Sequence, residues 1–503
     1  VSGEDLATPP HCGPPPESGT SMTRPTAAER LCAPATDDDA GHLRKWAALG
    51  VLGAVAFMAQ LDLFVVNVAL PAMGQSYRGA SLTDLSWVLN AYTVVFAALL
   101  IPAGRLADHY GRRGFLIAGT CAFTLASVIC GAAPTLAVLV AGRMVQAVGA
   151  AVIVPASLGL LLHAFLARQH SLVVGLWAGL AAVAGTLGPT VGGLLVGLSW
   201  RWIFLINLPI GILIVALARR TVPRHRAAHD SRLPDALSAG SLLITITALV
   251  LATVKGPDWG WMSPITLGLY ATAAAAALIT VWRTVVHPHA MIEASVFASR
   301  AFSCSTIALL AFFIGFGAWL LISVLFLQDA WHYSALRTGL AIAPGPLVSL
   351  LWAVNAAAVA DRFGRTAPAV AGSLCMAAAA ALWLLGAAAT PDYAQSFLPG
   401  LLLMGCAAGL VQAPLFAAAS GLSAHRATTG SAVLNTARQV GSAIGVALLV
   451  VLLGSGHATL ACYRRGWWLL VASGVLSAVA VMLSGTRRRA AAASTPAPAA
   501  NPG

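Results

Sequence analysis

Apolar runs of 18 or more residues, separated by short polar turns, recur along most of the 503-residue chain. Such a run is close to the roughly 20 residues a helix needs to cross a bilayer core. A membrane barrel would show short alternating segments instead. The pattern predicts fourteen helical spans, at about 46–70, 84–104, 115–133, 136–162, 171–197, 202–218, 235–254, 263–283, 301–327, 337–360, 367–389, 396–421, 430–454 and 466–485.

Composition agrees with this reading. Hydrophobic residues make up 58% and charged residues 9%, and the mean hydropathy of +0.82 excludes a soluble fold. The net charge of +12 is carried almost wholly by arginine, with Lys45 and Lys255 the only lysines. The arginines lie in short loops between spans, a pattern that orients a membrane protein and argues against a nucleic-acid partner. With the N-terminus inside, 21 of the 29 basic residues fall on the cytoplasmic side and six outside, while Arg143 and Arg438 remain within spans. The even span count then puts both termini in the cytoplasm of a multi-pass plasma-membrane protein. The Ala/Arg bias suggests a high-GC bacterial gene; Val1 fits a literally translated GTG codon, with Met22 as an alternative start.

Residues 1–43 are rich in Pro, Ser, Thr, Gly and acids and read as a disordered cytoplasmic tail. No signal peptide is expected. Residues 44–218 form a first six-helix bundle. Residues 219–300 hold a basic loop, two inserted helices and a connecting segment. Residues 301–485 form a second six-helix bundle, and 486–503 read as a disordered cytoplasmic tail. The all-α plan is thus six helices, a two-helix insert and six more. An internal echo supports the duplication: Ala107-Asp108-His109-Tyr110-Gly111-Arg112 follows the second span, and Ala360-Asp361-Arg362-Phe363-Gly364-Arg365 follows the second span of the last group.

The chemistry concentrates in a few places. Asp62 is the only acid well inside a span, and a carboxylate there costs about 2.5–3.5 kcal/mol on insertion scales, so it is a functional candidate by default. Arg143 in the fourth span must find an acceptor, and Asp62 is its natural direct or water-bridged partner. The eight cysteines show no CxxC and no metal-ligand spacing. Cys121, Cys130, Cys304, Cys375 and Cys406 read as small hydrophobes, and His287-Pro288-His289 reads as an interfacial loop. No metal site, nucleophile–base pair or ATP-binding GxxxxGK[ST] sequence is found. The chain is therefore expected to be no enzyme, to need no cofactor and to run on the proton gradient.

Gly104-Arg105-Leu106-Ala107-Asp108-His109-Tyr110-Gly111-Arg112-Arg113 resembles the signature loop between helices two and three of the major facilitator superfamily. The conventional loop has Lys at 105 and Arg at 109. Ala141 to Gly149, with Arg143 and Gln146, resembles that family's fourth-helix motif. Gly185-Thr186-Leu187-Gly188-Pro189-Thr190-Val191-Gly192-Gly193 resembles the antiporter motif of its exporters. Leu61 to Pro71, Trp200 to Pro209, and Arg438-Gln439-Val440-Gly441 with Gly445 fit as well, although Leu63-Phe64 replaces a commoner Thr-containing pair. Over residues 46–485 the chain is similar to the fourteen-helix drug:proton antiporter-2 branch.

The resemblance implies a major facilitator fold with proton coupling at Asp62 and Arg143. Gating falls to Gly104, Arg105, Asp108, Gly111, Arg112 and Arg113, and in the second half to Asp361, Arg362, Gly364 and Arg365. The antiporter motif contributes Gly185, Gly188, Pro189, Gly192 and Gly193, whose bend and GxxxG face favour a tight contact between halves. Polar and aromatic residues within spans are candidate substrate contacts: Asn67, Tyr92, Gln146, Trp177, Asn207, Trp319, Asn355, Gln412 and Asn435. With one deep acid, a lipophilic compound, neutral or singly charged, suits the cavity better than a dication. The leading expectation is proton-coupled export of drugs, antibiotics or toxic metabolites by a monomer in the bilayer. Proton-coupled uptake and a transport-inactive sensor or scaffold are the alternatives.

Overall fold

The computed structural model describes residues 37–166, 169–222, 235–286, 294–364, 366–388, 390–420, 424–454 and 459–493, and these are helical apart from short turns. Among them, thirteen helices are long and apolar enough to cross a membrane. The remaining predicted span, 171–197, coincides with the continuous helix His170–Leu198, whose Leu187–Leu198 part is counted as a shorter apolar helix.

We number the helices α1 (Asp37–Ser76), α2 (Leu82–Tyr110), α3 (Arg112–Ala132), α4 (Leu136–Ala164), α5 (His170–Leu198), α6 (Trp202–Leu205) and α7 (Asn207–Thr221). The insert is α8 (Ala236–Trp259) and α9 (Pro264–Val286). Then come α10 (Arg300–Leu325), α11 (Ala335–Ile342), α12 (Pro344–Phe363), α13 (Thr366–Gly386), α14 (Leu398–Ser420), α15 (Ala424–Leu453) and α16 (Leu460–Ala493). The sixth and tenth predicted spans are each broken in two. In the tenth, Pro344 opens α12 and cannot donate the hydrogen bond that would continue α11.

Two boundaries need correction. The first helix begins at Asp37 and the last runs to Ala493, so the inner parts of both supposed disordered tails are helical. Asp37-Asp38-Asp39 suits a helix N-terminus, and Arg487-Arg488-Arg489 followed by alanines suits a C-terminus, because the helix dipole favours those charges and alanine favours helix. Residues 1–36, 223–234, 287–293 and 494–503, with Val1, Met22 and His287-Pro288-His289, lie outside the described residues.

Lys45–Gly503 forms one compact unit. In the first half α4 packs on α2 and α3, and α3 on α7; in the second, α10 packs on α15 and α16, α12 on α14, and α13 on α14 and α16. Helices in lipid gain little hydrophobic drive from associating, so small residues that let backbones approach become decisive. A Cβ on Gly149 would meet the Gly119 carbonyl at 2.8 Å, and one on Gly445 would collide with the Ile314 carbonyl. The halves meet along two seams, α2 with α15 and α5 with α11 and α12. Helix α8 packs on both α2 and α15, sharing an apolar cluster of Val94, Ala98, Val250, Val254, Ala443 and Ala447, while α9 packs on α8. Lys255 ties α8 to Asp84 of α2 at 2.8 Å, and Arg283 ties α9 to Asp235 at the start of α8 at 2.9 Å.

The echo noted in the sequence is a repeated backbone turn. Gly111, after α2, has φ 106°, and Gly364, after α12, has φ 84°, a region that favours glycine.

Candidate functional site

The first half buries a polar network centred on Asp62. Its helix, α1, is held against α5 by glycines: a Cβ on Gly188 would lie 2.6 Å from that of Phe64, and one on Gly192 3.3 Å from Cα of Val65. Asp62 Oδ2 accepts from Nη1 of Arg143 at 2.5 Å, and both residues are almost fully buried. Its other oxygen accepts from Nε2 of Gln146 at 2.8 Å and from Nδ2 of Asn207 at 3.1 Å. Arg143 also donates from Nη1 to Oε1 of Gln146 at 2.7 Å, and from Nε to the Val88 carbonyl at 3.0 Å. Ser127 Oγ accepts from Gln146 and Asn207 at 2.9 and 3.3 Å. The guanidinium carbon stands 4.2 Å from the Tyr92 ring centroid and 5.8 Å from that of Phe204.

Residues from α1, α2, α3, α4, α6 and α7 therefore converge on one charge pair. Such a pair offsets its desolvation only when the remaining lone pairs and protons are also satisfied. Here one donor, Nη2 of Arg143, and one acceptor, Oδ1 of Asn207, are without partners among the described residues. Protonating Asp62 would turn an acceptor oxygen into a donor, so the hydrogen bonds around it could not all persist.

The structure brings together Asp62 and Arg143, and places three candidate substrate contacts, Tyr92, Gln146 and Asn207, around that pair. Others are spent locally: Asn67 donates to the Leu63 carbonyl, Asn435 to Ser431, and Trp177 to the Ser157 hydroxyl. Trp319 is buried with its indole N–H unpartnered among the described residues. Asn355 is exposed on an open groove of about 420 Å³ with Leu351, Trp352, Val359, Arg362 and Phe363. Gln412 accepts from Arg438 at 3.5 Å. Sequence reasoning missed Ser127, Phe204 and the Val88 carbonyl; a lone serine in an apolar run carries no signal, and a carbonyl none at all.

The antiporter-motif glycines were expected to seal the contact between halves, but Gly185, Gly188 and Gly192 face Phe64 and Val65 within the first half. The crossing contacts come from Gly193, whose added Cβ would meet the Ala335 carbonyl at 2.5 Å, and from Pro189, which abuts Gly339. Gln328 donates across the halves to the Val68 carbonyl at 3.3 Å. These contacts lie at the ends assigned outside by the predicted topology.

In the signature loop, Arg112 Nη1 lies 3.1 Å from Nδ1 of His163, and Arg113 donates to the Arg219 carbonyl at 2.6 Å, both within the first half. Gly104 lies against Pro155, where an added Cβ would make ordinary contact at 3.5 Å. In the echo, the Arg362 guanidinium carbon stands 5.5 Å from the Phe363 ring centroid. The side chains of Asp108 and Asp361, and Arg365 as a whole, lie outside the described set.

Comparison with known proteins adds to this geometry. The family model described as Major Facilitator Superfamily matches residues 52–446. The chain is 33% identical over 398 residues to Multidrug resistance protein Stp of Mycobacterium tuberculosis (strain CDC 1551 / Oshkosh), covering 78% of this chain and 73% of that protein. It is 33% identical over 404 residues to the Methylenomycin A resistance protein of Streptomyces coelicolor (strain ATCC BAA-471 / A3(2) / M145), covering 79% and 83%. The xylose transporter XylE from E. coli, in a partially occluded inward-open conformation, has a TM-score of 0.60 at 13% identity, covering 86% of this chain and 96% of that one. At that identity the likeness concerns the fold alone.

Proposed function

Because the chain belongs to the Major Facilitator Superfamily, a family of membrane transporters of small molecules, we propose that it is a proton-coupled antiporter exporting small lipophilic compounds across the plasma membrane. Its relatives named for multidrug and methylenomycin A resistance support the direction and the compound class.

One observation carries the coupling: the helix that bears the buried acid packs on the same helix, α5, that makes the seam between halves. Asp62 lies on α1 two residues before Phe64, and Phe64 and Val65 fill the glycine face of α5. The neighbouring flank of α5, one residue on around the helix, carries Pro189 and Gly193, which abut α11. A proton arriving on Asp62 forces rearrangement around Arg143, Gln146 and Asn207, and α1 passes that change to α5 and the seam. Substrate and proton then alternate, with the two halves rocking about the midplane. One charge moved across 100 mV supplies about 2.3 kcal/mol, enough for a roughly 40-fold gradient.

Proton release from acid-loaded everted vesicles, on adding a panel of lipophilic compounds, tests the reading. Compounds should dissipate the pH gradient in wild type and fail to do so in Asp62→Asn. Equal responses from both proteins to transported compounds would remove Asp62 from the coupling path, and inward flux of labelled solute would favour uptake.

A further inference from the structure

Arg438 is the other arginine inside a span, on the fifth span of the second half where Arg143 is on the fourth of the first, and its surroundings are very different. It lies on α15, eight residues beyond Gly430, where the membrane span begins, and thus about 12 Å along the helix. Arg143 donates to a carboxylate, an amide oxygen and a backbone carbonyl. Arg438 makes one long hydrogen bond, from Nη1 to Oε1 of Gln412 at 3.5 Å, and its buried Nε has no partner among the described residues. Asp329, Asp361 and Asp392 are the only acids in residues 301–485, and all three sit at helix ends. A guanidinium stays protonated in proteins, so this charge is carried at depth without a carboxylate at its level.

What does surround Arg438 suits a ligand with an acidic head and an aromatic body. The Phe313 ring centroid is 5.6 Å from the guanidinium carbon, Phe316 follows at 5.4 Å from Phe313, and Trp319 at 5.2 Å from Phe316. Asn435 stands one turn earlier on α15, and the contact between Arg438 and Gln412 is only part-buried. The other flank of α15 is committed elsewhere, with Thr436 on the Ala97 carbonyl and Ala443 and Ala447 in the cluster with α2 and α8.

We propose that Arg438 and Gln412, beside Phe313 and Phe316, form the recognition site for the anionic group of a lipophilic acid, which makes aromatic or similarly apolar carboxylates and phenolates the preferred substrates. A guanidinium offers the forked pair of N–H donors that a carboxylate accepts, and the phenyl rings hold the apolar body. The inference rests on the export reading above and adds a charge preference to it.

The test is a fluorescence titration of the purified full-length protein with three probes sharing one ring system: anthracene-9-carboxylate, anthracene-9-carboxamide and 9-(aminomethyl)anthracene. Wild type should bind the carboxylate about tenfold more tightly than the amide, the size of a charge-assisted hydrogen bond, and the amine most weakly. Arg438→Gln should abolish that preference, bringing carboxylate binding down to the level of the amide, while Arg438→Lys should keep part of it. Equal binding of the three probes by wild type overturns the proposal. So does undetectable carboxylate binding, a preference that survives in Arg438→Gln, or a uniform loss for all probes in both variants. The titration uses no proton gradient, so its failure is distinct from failure of Asp62-dependent proton release, and the protein can pass either test alone.

Discussion

Gly339 of α11 is seated on Pro189 of α5, so closely that a Cβ on Gly339 would collide with the proline carbonyl oxygen. Two half-molecules touch here through backbone. Gly339→Val would force them apart at a cost of about 1–3 kcal/mol, which shifts a two-state balance roughly tenfold. Spin labels at Leu194 and Leu340, both exposed beside the contact, should report a longer distance in the variant, with export slowed to match. An unchanged distance would remove this contact from the gate.

Removing one member of the central ion pair should cost more stability than removing both. Asp62→Asn leaves Arg143 fully buried without a counter-charge, a loss of about 3–5 kcal/mol when a buried pair is broken. Asp62→Asn with Arg143→Gln should recover most of the thermal stability yet stay inactive in proton release. Recovery of coupled export by the double variant would show that neither charge carries the proton.

Ser127 gives a graded test. Its hydroxyl accepts from both Gln146 and Asn207, so Ser127→Ala should cost about 1–3 kcal/mol and alter the pH dependence of export without abolishing it. Thermal melting and a pH profile of export read the two effects separately. A profile identical to wild type would confine Ser127 to packing.

At the start of the insert, Asp235 caps α8 and accepts a two-pronged contact from Arg283. That hydrogen bonding, outweighing the opposing effect of burial, holds the Asp235 carboxyl well below its ordinary value of 3.8. A depressed folded-state value means the stabilisation is complete above that ordinary value and disappears as pH falls through the depressed one. Asp235→Asn should therefore lower the melting temperature equally at neutral and mildly acidic pH, converging on wild type only in strong acid. A difference that fades between pH values of about 8 and 6, where no carboxylate of ordinary kind titrates, would point to another group.

The number and order of helices were legible because lipid imposes a single rule, about 20 apolar residues per span. Asp62 and Arg143 were legible for a related reason, since a charge at that depth needs a partner and few are on offer. What stayed hidden was direction around each helix axis. Gln146 and Asn207 read as substrate contacts because a polar residue in a span announces only that it has a partner, and here the partner is Asp62. Gly188 and Gly193 lie in one motif yet face Phe64 and Ala335 respectively, a division set by rotation along α5 that the motif does not encode. The broken tenth span was readable in part from Pro344, whereas the starts and ends of α1 and α16 turned on charge and alanine content in segments too polar to count as spans.

Helix α8 leans on one helix from each half, α2 and α15, along a single apolar strip. If the halves rock, that side of the molecule acts as a bearing: neither half can swing freely there without shearing Val250 and Val254 past Ala443 and Ala447. The opposite side, where α5 meets α11 and α12, carries no such third member among the described contacts. Rocking is therefore expected to open the molecule more widely on the side of α5 than beside the insert, a difference that spin-label distances across the two seams would measure.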